Sequence, residues 1–185
     1  MKQFVAELKG LTPYGQGKMH LEEKLPQELN DAYAERTWPA RAHTAAGEVY
    51  IPPMAFKLML ESTARYAKTP IPGRLKETYT KHYRQGIIIP DPIMLGIQIA
   101  DVQPAKVFTW AEPSRRSTRV WRYFPVIEQW AGVLTIIAID DIFTAAVVEE
   151  HLRLGGKLVG IGVWRPESGG MWGKFDVTHF AEVEL

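Results

Sequence analysis

Seven glycines fall within Gly155–Phe175, GGKLVGIGVWRPESGGMWGKF, alongside two tryptophans, one arginine and two lysines. Glycine accepts positive φ and close backbone approach, and it loses more conformational entropy on ordering than any other residue. A chain orders such a stretch where a strand is packed tightly or where a ligand backbone passes over it. Two readings follow. In one, Gly155 caps a helix, Leu158–Gly162 is a strand and the rest is a turn. In the other, the segment is a glycine-rich surface for an extended polyanion.

The chain has 185 residues, enough for one domain (1–185) with a real core. Its net charge of +1 identifies no partner, so the distribution of charge carries that argument. Nine Lys/Arg face three Glu between Arg36 and Arg84, and four Arg occur without an acid between Arg115 and Arg122. The absence of cysteine excludes disulfides, a thiolate nucleophile and thiolate-held zinc or iron–sulfur clusters. It fits a cytoplasmic protein. The N-terminal MKQFVAELKG lacks the pattern of a signal peptide, and Val133–Ile139 is too short to span a membrane. No membrane partner is expected.

Along the chain, Gln3–Leu8 alternates as a strand with Phe4, Ala6 and Leu8 on one side. Leu25–Tyr33 reads as a short helix that Pro39 cannot continue. Val49–Ile51 is a brief strand. Pro52-Pro53 then opens a helix whose Phe56, Met59, Leu60, Thr63, Ala64 and Ala67 form an apolar stripe. IPGRLKETYTKHYRQG is basic and aromatic, shows no clean periodicity and reads as an excursion without a stripe of its own to bury. Strands are expected at Ile87–Ile89, Ile93–Ile99, Lys106–Trp110 and Thr118–Phe124. The last of these places Arg119, Trp121 and Tyr123 on one side. The β-branched run Trp130–Ile139 predicts a central strand. Thr144 is a good N-cap, with Phe143 and Val148 as its hydrophobic staple, for a helix over Ala145–Leu154. His151 reads as a satisfied residue on that helix, and Lys174–Glu184 as the closing strand.

This order predicts an α+β fold: a ferredoxin-like or RRM-like antiparallel sheet with two helices, long basic insertions at roughly 10–48, 68–86 and 111–118, and a C-terminal glycine-rich loop. No metal or cofactor is expected. The five histidines are dispersed, neighbouring Asp140 and Asp141 would point to opposite sides of a strand, and no P-loop or nucleophile elbow is present. Nucleic-acid binding fares better, because a single-strand groove needs cations for phosphates and flat side chains for bases. Three segments supply both: Arg74–Arg84, Arg115–Tyr123 and Trp164–Lys174. The plain alternative is that the tryptophans pack and the arginines are solvated.

The N-terminal strand with GLTPYGQGK, then EVYIPPMAFKLMLESTARY, KETYTKHYRQG and the closing glycine-rich run, resembles a small family of phage and prophage proteins. That family is in turn similar, more distantly, to the RAMP-type backbone subunits of CRISPR effector complexes. The resemblance implies a non-catalytic protein that lines a nucleic acid and self-associates into a filament or ring. It also implies that Tyr14 to Lys18 sit beside an RNA-facing sheet, that 70–84 is a thumb-like insertion, and that Gly155–Gly173 is the glycine-rich loop.

The resulting expectation is a protein that binds single-stranded DNA or RNA, in phage replication and recombination or in a RAMP-like backbone. Lys76, Lys81, Arg84, Arg115, Arg116, Arg119 and Lys174 would meet phosphates, with Lys18, His82 and Arg165 also in the binding surface. Tyr14, Trp121 and Trp172 would stack on bases, with Trp164 packing. Two other classes stay open: a non-enzymatic structural or host-interaction module, and a metal-dependent nuclease using His82 or Asp140.

Overall fold

The computed structural model describes residues 1–74, 76–110 and 118–184. The alternation at the N-terminus becomes strand β1 (Lys2–Gly10), which buries Phe4, Ala6 and Leu8 and turns Glu7 and Lys9 to solvent. Four short elements follow: β2 (Tyr14–Gly15), α1 (Asn30–Thr37), β3 (Thr44–Ala45) and β4 (Glu48–Ile51). Helix α2 (Pro53–Ala67) starts on a proline, where no backbone donor is needed, and buries Phe56, Met59, Leu60, Thr63 and Ala64. Next come α3 (Thr80–Gly86), β5 (Ile87–Ile88), β6 (Ile93–Gln98), β7 (Gln103–Trp110) and β8 (Arg119–Ile127). The apolar run forms β9 (Ala131–Ala138), Asp140 and Asp141 end it, and α4 (Ala145–Leu158) leads to β10 (Phe175–Val183).

The main sheet has the order β10-β1-β9-β5, and every neighbouring pair is antiparallel. Taking β1, α2, β5, β9, α4 and β10 as the frame gives a βαββαβ chain with strands in the order 4-1-3-2. That is the ferredoxin-like arrangement, with both helices on one face of the sheet. Phe4, Leu134, Ile136, Phe175 and Val177 line this face and share one buried cluster with Phe56, Leu60, Val148 and Leu152 from the helices. Each such side chain contributes about 1.5–3 kcal/mol when fully buried. Inserted into the frame are 11–52, 68–86 and 89–130. They carry two smaller sheets, β2-β8-β7 and β3-β4-β6.

Thr144 caps α4 as its sequence position requires, its hydroxyl accepting from Val147 N at 3.4 Å, with Phe143 and Val148 both buried. Three expectations change. The first short helix lies at Asn30–Thr37 and runs into a 3-10 turn at Trp38–Arg41, rather than covering Leu25–Tyr33. Gly155 is not a cap: α4 continues through Gly155 and Gly156 to Leu158, so Leu158–Gly162 is a helix end and loop, not a strand. Close packing overrides the low helix propensity of this pair, since a Cβ at Gly156 would lie 2.5 Å from the Phe175 carbonyl oxygen.

The third change concerns the 70–84 excursion, which does have a buried face. Tyr79 and Tyr83 are four residues apart, are fully buried and pack against Phe143, with ring centroids at 5.7 and 4.9 Å. Tyr83 Oη and Thr69 Oγ1 meet the two ring nitrogens of His151 at 3.0 and 2.9 Å. His151 is therefore satisfied, as expected, but in the core, and its burial lowers its pKa.

Candidate nucleic-acid interface

Strands β7 and β8 pair along the length of β7, and among the described residues β7 is an edge strand that pairs with β8 alone. The register sets Lys106 opposite Tyr123, Phe108 opposite Trp121 and Trp110 opposite Arg119. Because side chains alternate across a strand, these six share one face. They interleave as a ladder. The Phe108 and Trp121 rings lie 4.9 Å apart, Lys106 Nζ is 4.9 Å from the Trp121 ring and 5.1 Å from that of Tyr123, and Arg119 is 4.6 Å from Trp110.

Phe108 remains 47% exposed and Trp121 44% exposed, so the ladder presents open ring surface. Among the described residues Arg119 has no carboxylate partner. Lys106 is held protonated by Tyr123 and by Asp31 of α1, whose carboxylate lies 3.2 Å away. At the foot of the ribbon Tyr123 and Phe124 are buried, which anchors the ladder to the body.

Beside that foot lies the glycine-rich loop. Gly15 accepts Val163 N at 2.9 Å, and Gly17 faces Val163 and Phe124. The loop is a tight knot rather than an open cradle. Trp172 N donates to Trp164 O at 2.9 Å, Gly173 N to Pro13 O at 2.7 Å, and a Cβ at Gly170 would meet the Trp164 carbonyl oxygen at 1.9 Å. Trp164 has φ +55°, a left-handed conformation that a bulky side chain rarely adopts, and is 37% exposed. Trp172 is half-buried and seated on Gly15, with its ring 6.3 Å from that of Trp164. Trp164, expected to pack, is thus the more exposed of the two, and Trp172, expected to bind, is half-buried against Gly15.

The other expected residues divide. Arg119 and Trp121 lie on the ladder, whereas Arg115 and Arg116, with the 111–117 part of the expected insertion, lie outside the described residues. Lys18 is exposed near the ribbon's foot, its N–H donating to Arg41 O. Lys174 is half-buried, and its backbone N–H donates to Thr12 Oγ1 at 3.0 Å. Arg165 is tied to Glu167 at 3.0 Å and to Gly162 O at 3.2 Å. Tyr14 is no stacking platform: it is 2% exposed and packs against Trp130, and burial pushes its phenol far above the ordinary range, with Gln16 opposing.

The basic excursion is largely neutralised from within. Lys81 and Arg74 both reach Glu77, and hold its carboxyl at about 2. Arg84 pairs with Glu61 of α2. His82 is clasped by Asp140, 2.9 Å from Nδ1, and by Glu77, 3.4 Å from Nε2. Only Lys76 of the expected cations there is exposed without an ion pair among the described residues. The nuclease alternative placed His82 or Asp140 at a metal. Here the two bind each other, and among the described residues no group of three or more metal-ligating side chains forms. Phe108, Trp110 and Lys106 were not among the expected site residues. The signal for them is the K-x-F-x-W alternation of 106–110 set against R-x-W-x-Y at 119–123.

No family model matches the chain, and no curated protein does. Solved structures do. A chain of the type III-B Cmr-beta complex bound to cognate target RNA aligns with TM-score 0.55 at 11% identity, over 99% of this chain and 61% of that one. This chain therefore spans less than two thirds of that subunit. Cmr6 from Pyrococcus furiosus aligns with TM-score 0.50 at 10% identity, over 96% of this chain and 98% of its own. Among the described residues no helix is long and apolar enough to cross a membrane. The shared feature is the fold, which distantly resembles that of the RAMP-type Cmr subunits of CRISPR effector complexes.

Proposed function

We propose that this protein is a non-catalytic subunit that binds single-stranded RNA through the β7–β8 ribbon and works side by side with further copies of itself. The observation that carries the reading is the ladder of Lys106, Phe108, Trp110, Arg119 and Trp121, an alternation of cations and rings on one face in which Phe108, Trp121 and Arg119 are exposed, Trp110 is half-buried and Lys106 is shared with Asp31. Rings stack on bases of any sequence, and cations between them meet the phosphates that follow. RNA is favoured over DNA because one structurally similar chain comes from a complex bound to target RNA. Within the reading, Trp164 extends the surface where the glycine loop meets the ribbon's foot.

The test is fluorescence anisotropy with matched RNA and DNA oligonucleotides over a range of salt. Phe108→Ala with Trp121→Ala is expected to weaken RNA binding by about 1–3 kcal/mol per stacked base, while the unfolding midpoint changes little. Arg119→Ala is expected to flatten the slope of log K against log salt by about 0.7, the share of one phosphate on a single strand. Folded double and single variants that bind RNA as wild type does would refute the assignment. Tighter binding of DNA than of RNA would refute the choice of ligand.

A further inference from the structure

Residues 16–18 and 41–43 run side by side at the foot of the ribbon, where Gln16 N donates to Pro125 O at 3.0 Å. Lys18 N donates to Arg41 O at 2.9 Å. The buried Gln16 side chain accepts from His43 N at 2.6 Å and donates to Tyr50 O at 2.7 Å. These bonds fix the backbone of Arg41, the last residue of the Trp38–Arg41 turn. Its guanidinium lies over the Phe124 ring, 6.0 Å from the centroid. Phe124 projects from the side of β8 opposite to Trp121 and Tyr123, so Arg41 and the ladder use different sides of the strand.

What Arg41 lacks is an acceptor. The residue is half-buried and its Nε is buried without a partner. Among the described residues its guanidinium makes no hydrogen bond and no ion pair. Five N–H donors and a charge withdrawn from water without a counter-charge are costly, and native structures rarely leave such a group unanswered. No carboxylate among the described residues acts on it: burial and then Arg122 lower its pKa, and Tyr33 alone opposes them. Glu28 and Asp31, on the preceding segment, are engaged by Arg36 and Lys106. Lys18 is a second cation here, exposed and without an ion pair among the described residues, and its charge reaches His43. Beside Tyr33 a second polar atom is buried without a partner, the Nδ1 of His20, whose ring is 6.1 Å from the tyrosine ring.

We infer that Arg41 and Lys18 form a phosphate site at the foot of the ribbon, on the side away from the ladder. A phosphate group offers several oxygens to one guanidinium fork, through the short charge-assisted bonds that such a fork is shaped to make. Lys18, on its flexible stem, adds a second positive charge from the neighbouring segment. The phosphate can be a linkage within a strand, the terminal phosphate of a strand, or free phosphate. An RNA source rests on the reading above, whereas the site itself stands on Arg41 and its surroundings.

The experiment titrates the full chain with inorganic phosphate, following Tm and the Arg41 Nε–Hε signal by NMR, with acetate at matched ionic strength as control. Wild type is expected to gain Tm and to shift that signal saturably with phosphate and not with acetate. Arg41→Met keeps an unbranched apolar stem for Phe124. It is expected to match or exceed the wild-type Tm without phosphate, because it removes an unpaired charge, and to lose the phosphate effect. Lys18→Gln, at an exposed position, is expected to weaken phosphate roughly tenfold while leaving the Tm alone, and it decides the matter if Arg41→Met does not fold. Equal responses to phosphate and acetate, no response in wild type, or a folded Arg41→Met protein that responds as wild type does would each overturn the site. Anisotropy with one RNA carrying either a 5′-phosphate or a 5′-hydroxyl identifies the source. A gain of about tenfold or more from the 5′-phosphate, abolished by Arg41→Met, supports a terminal phosphate. Equal weakening of both RNAs by Arg41→Met supports an internal linkage. A phosphate response in a protein that binds neither RNA strikes the RNA reading and leaves the site standing for free phosphate.

Discussion

Replacing Gly156 by alanine sets two physical effects of opposite sign against each other. On an isolated helix the change is favourable by about 1 kcal/mol, because glycine carries the larger backbone entropy loss. In α4 the new methyl carbon would lie 2.5 Å from the Phe175 carbonyl oxygen and 2.9 Å from two carbons of its ring. Ordinary contact begins near 3.4 Å, so α4 and β10 must part by most of an ångström. The obstacle is backbone and cannot rotate away. Overpacking of this kind costs about 1–3 kcal/mol, and an immovable partner places it near 3. The net expectation is a loss of about 2 kcal/mol, or a fall in Tm of roughly 4–8 °C for a chain of this size. Lys157→Ala, one residue on and exposed, supplies the control and is expected to stay within about 0.5 kcal/mol. Calorimetry and urea midpoints measure both. A Gly156→Ala protein as stable as wild type would refute the claim that close packing, rather than capping, explains the glycine pair.

Three further outcomes are expected. His151 has its folded pKa lowered by burial from its ordinary value of 6.5, so the unfolded chain takes up its proton first. Stability should therefore fall as pH drops below about 6.5 and level off below the folded pKa; His151→Phe is expected to lose that limb of the Tm–pH curve, with about 1–3 kcal/mol lost at neutral pH from the stranded Tyr83 and Thr69 hydroxyls. Arg84 supports Glu61, whose carboxyl it lowers, ahead of Arg65; Arg84→Ala should lower the unfolding midpoint slightly, since the guanidinium is exposed, and leave RNA affinity unchanged in an anisotropy titration. Trp172→Ala should destabilise by about 3 kcal/mol by emptying the seat on Gly15, whereas Trp164→Ala should cost mainly RNA affinity, and the opposite pattern in paired melting and binding curves would restore the roles read from sequence.

The frame was legible in the sequence where local pattern and tertiary role agree. The alternation of Phe4, Ala6 and Leu8, the stripe of α2, the β-branched run of β9 and the Thr144 cap each report a buried face directly. The failures have physical causes. Tyr79 and Tyr83 are an i, i+4 pair, but their hydroxyls and the surrounding charges disguise them, and the buried His151 that shares a hydrogen bond with the Tyr83 hydroxyl is 68 residues away. The Gly155-Gly156 pair looks like a helix end because propensity is local, while the demand for a bare backbone comes from Phe175. Arg119 and Trp121 were named from the sequence, and the residues that face them across the ribbon, Trp110 and Phe108, were not, because cross-strand register is a property of two segments together. Charge counting misled most. The cations of 74–84 are real, but Glu77, Glu61 and Asp140 answer them from positions that a linear window separates.

Strand β1 sits between β9 and β10, so Gln3 is paired with Ile137 on one side and Val183 on the other. On a ribosome making about 5–20 residues per second, the first strand waits roughly ten to forty seconds before its second neighbour exists. Until β9 is made the apolar faces of β1 and α2 have no sheet to close against, and until β10 follows the sheet stays open along β1. Contacts of such long sequence separation make the search for the native pairing slow. Nascent chains halted between β9 and β10 should thus be the form that chaperones hold and proteases cut, and the last nine-residue strand is the step that ends that exposure.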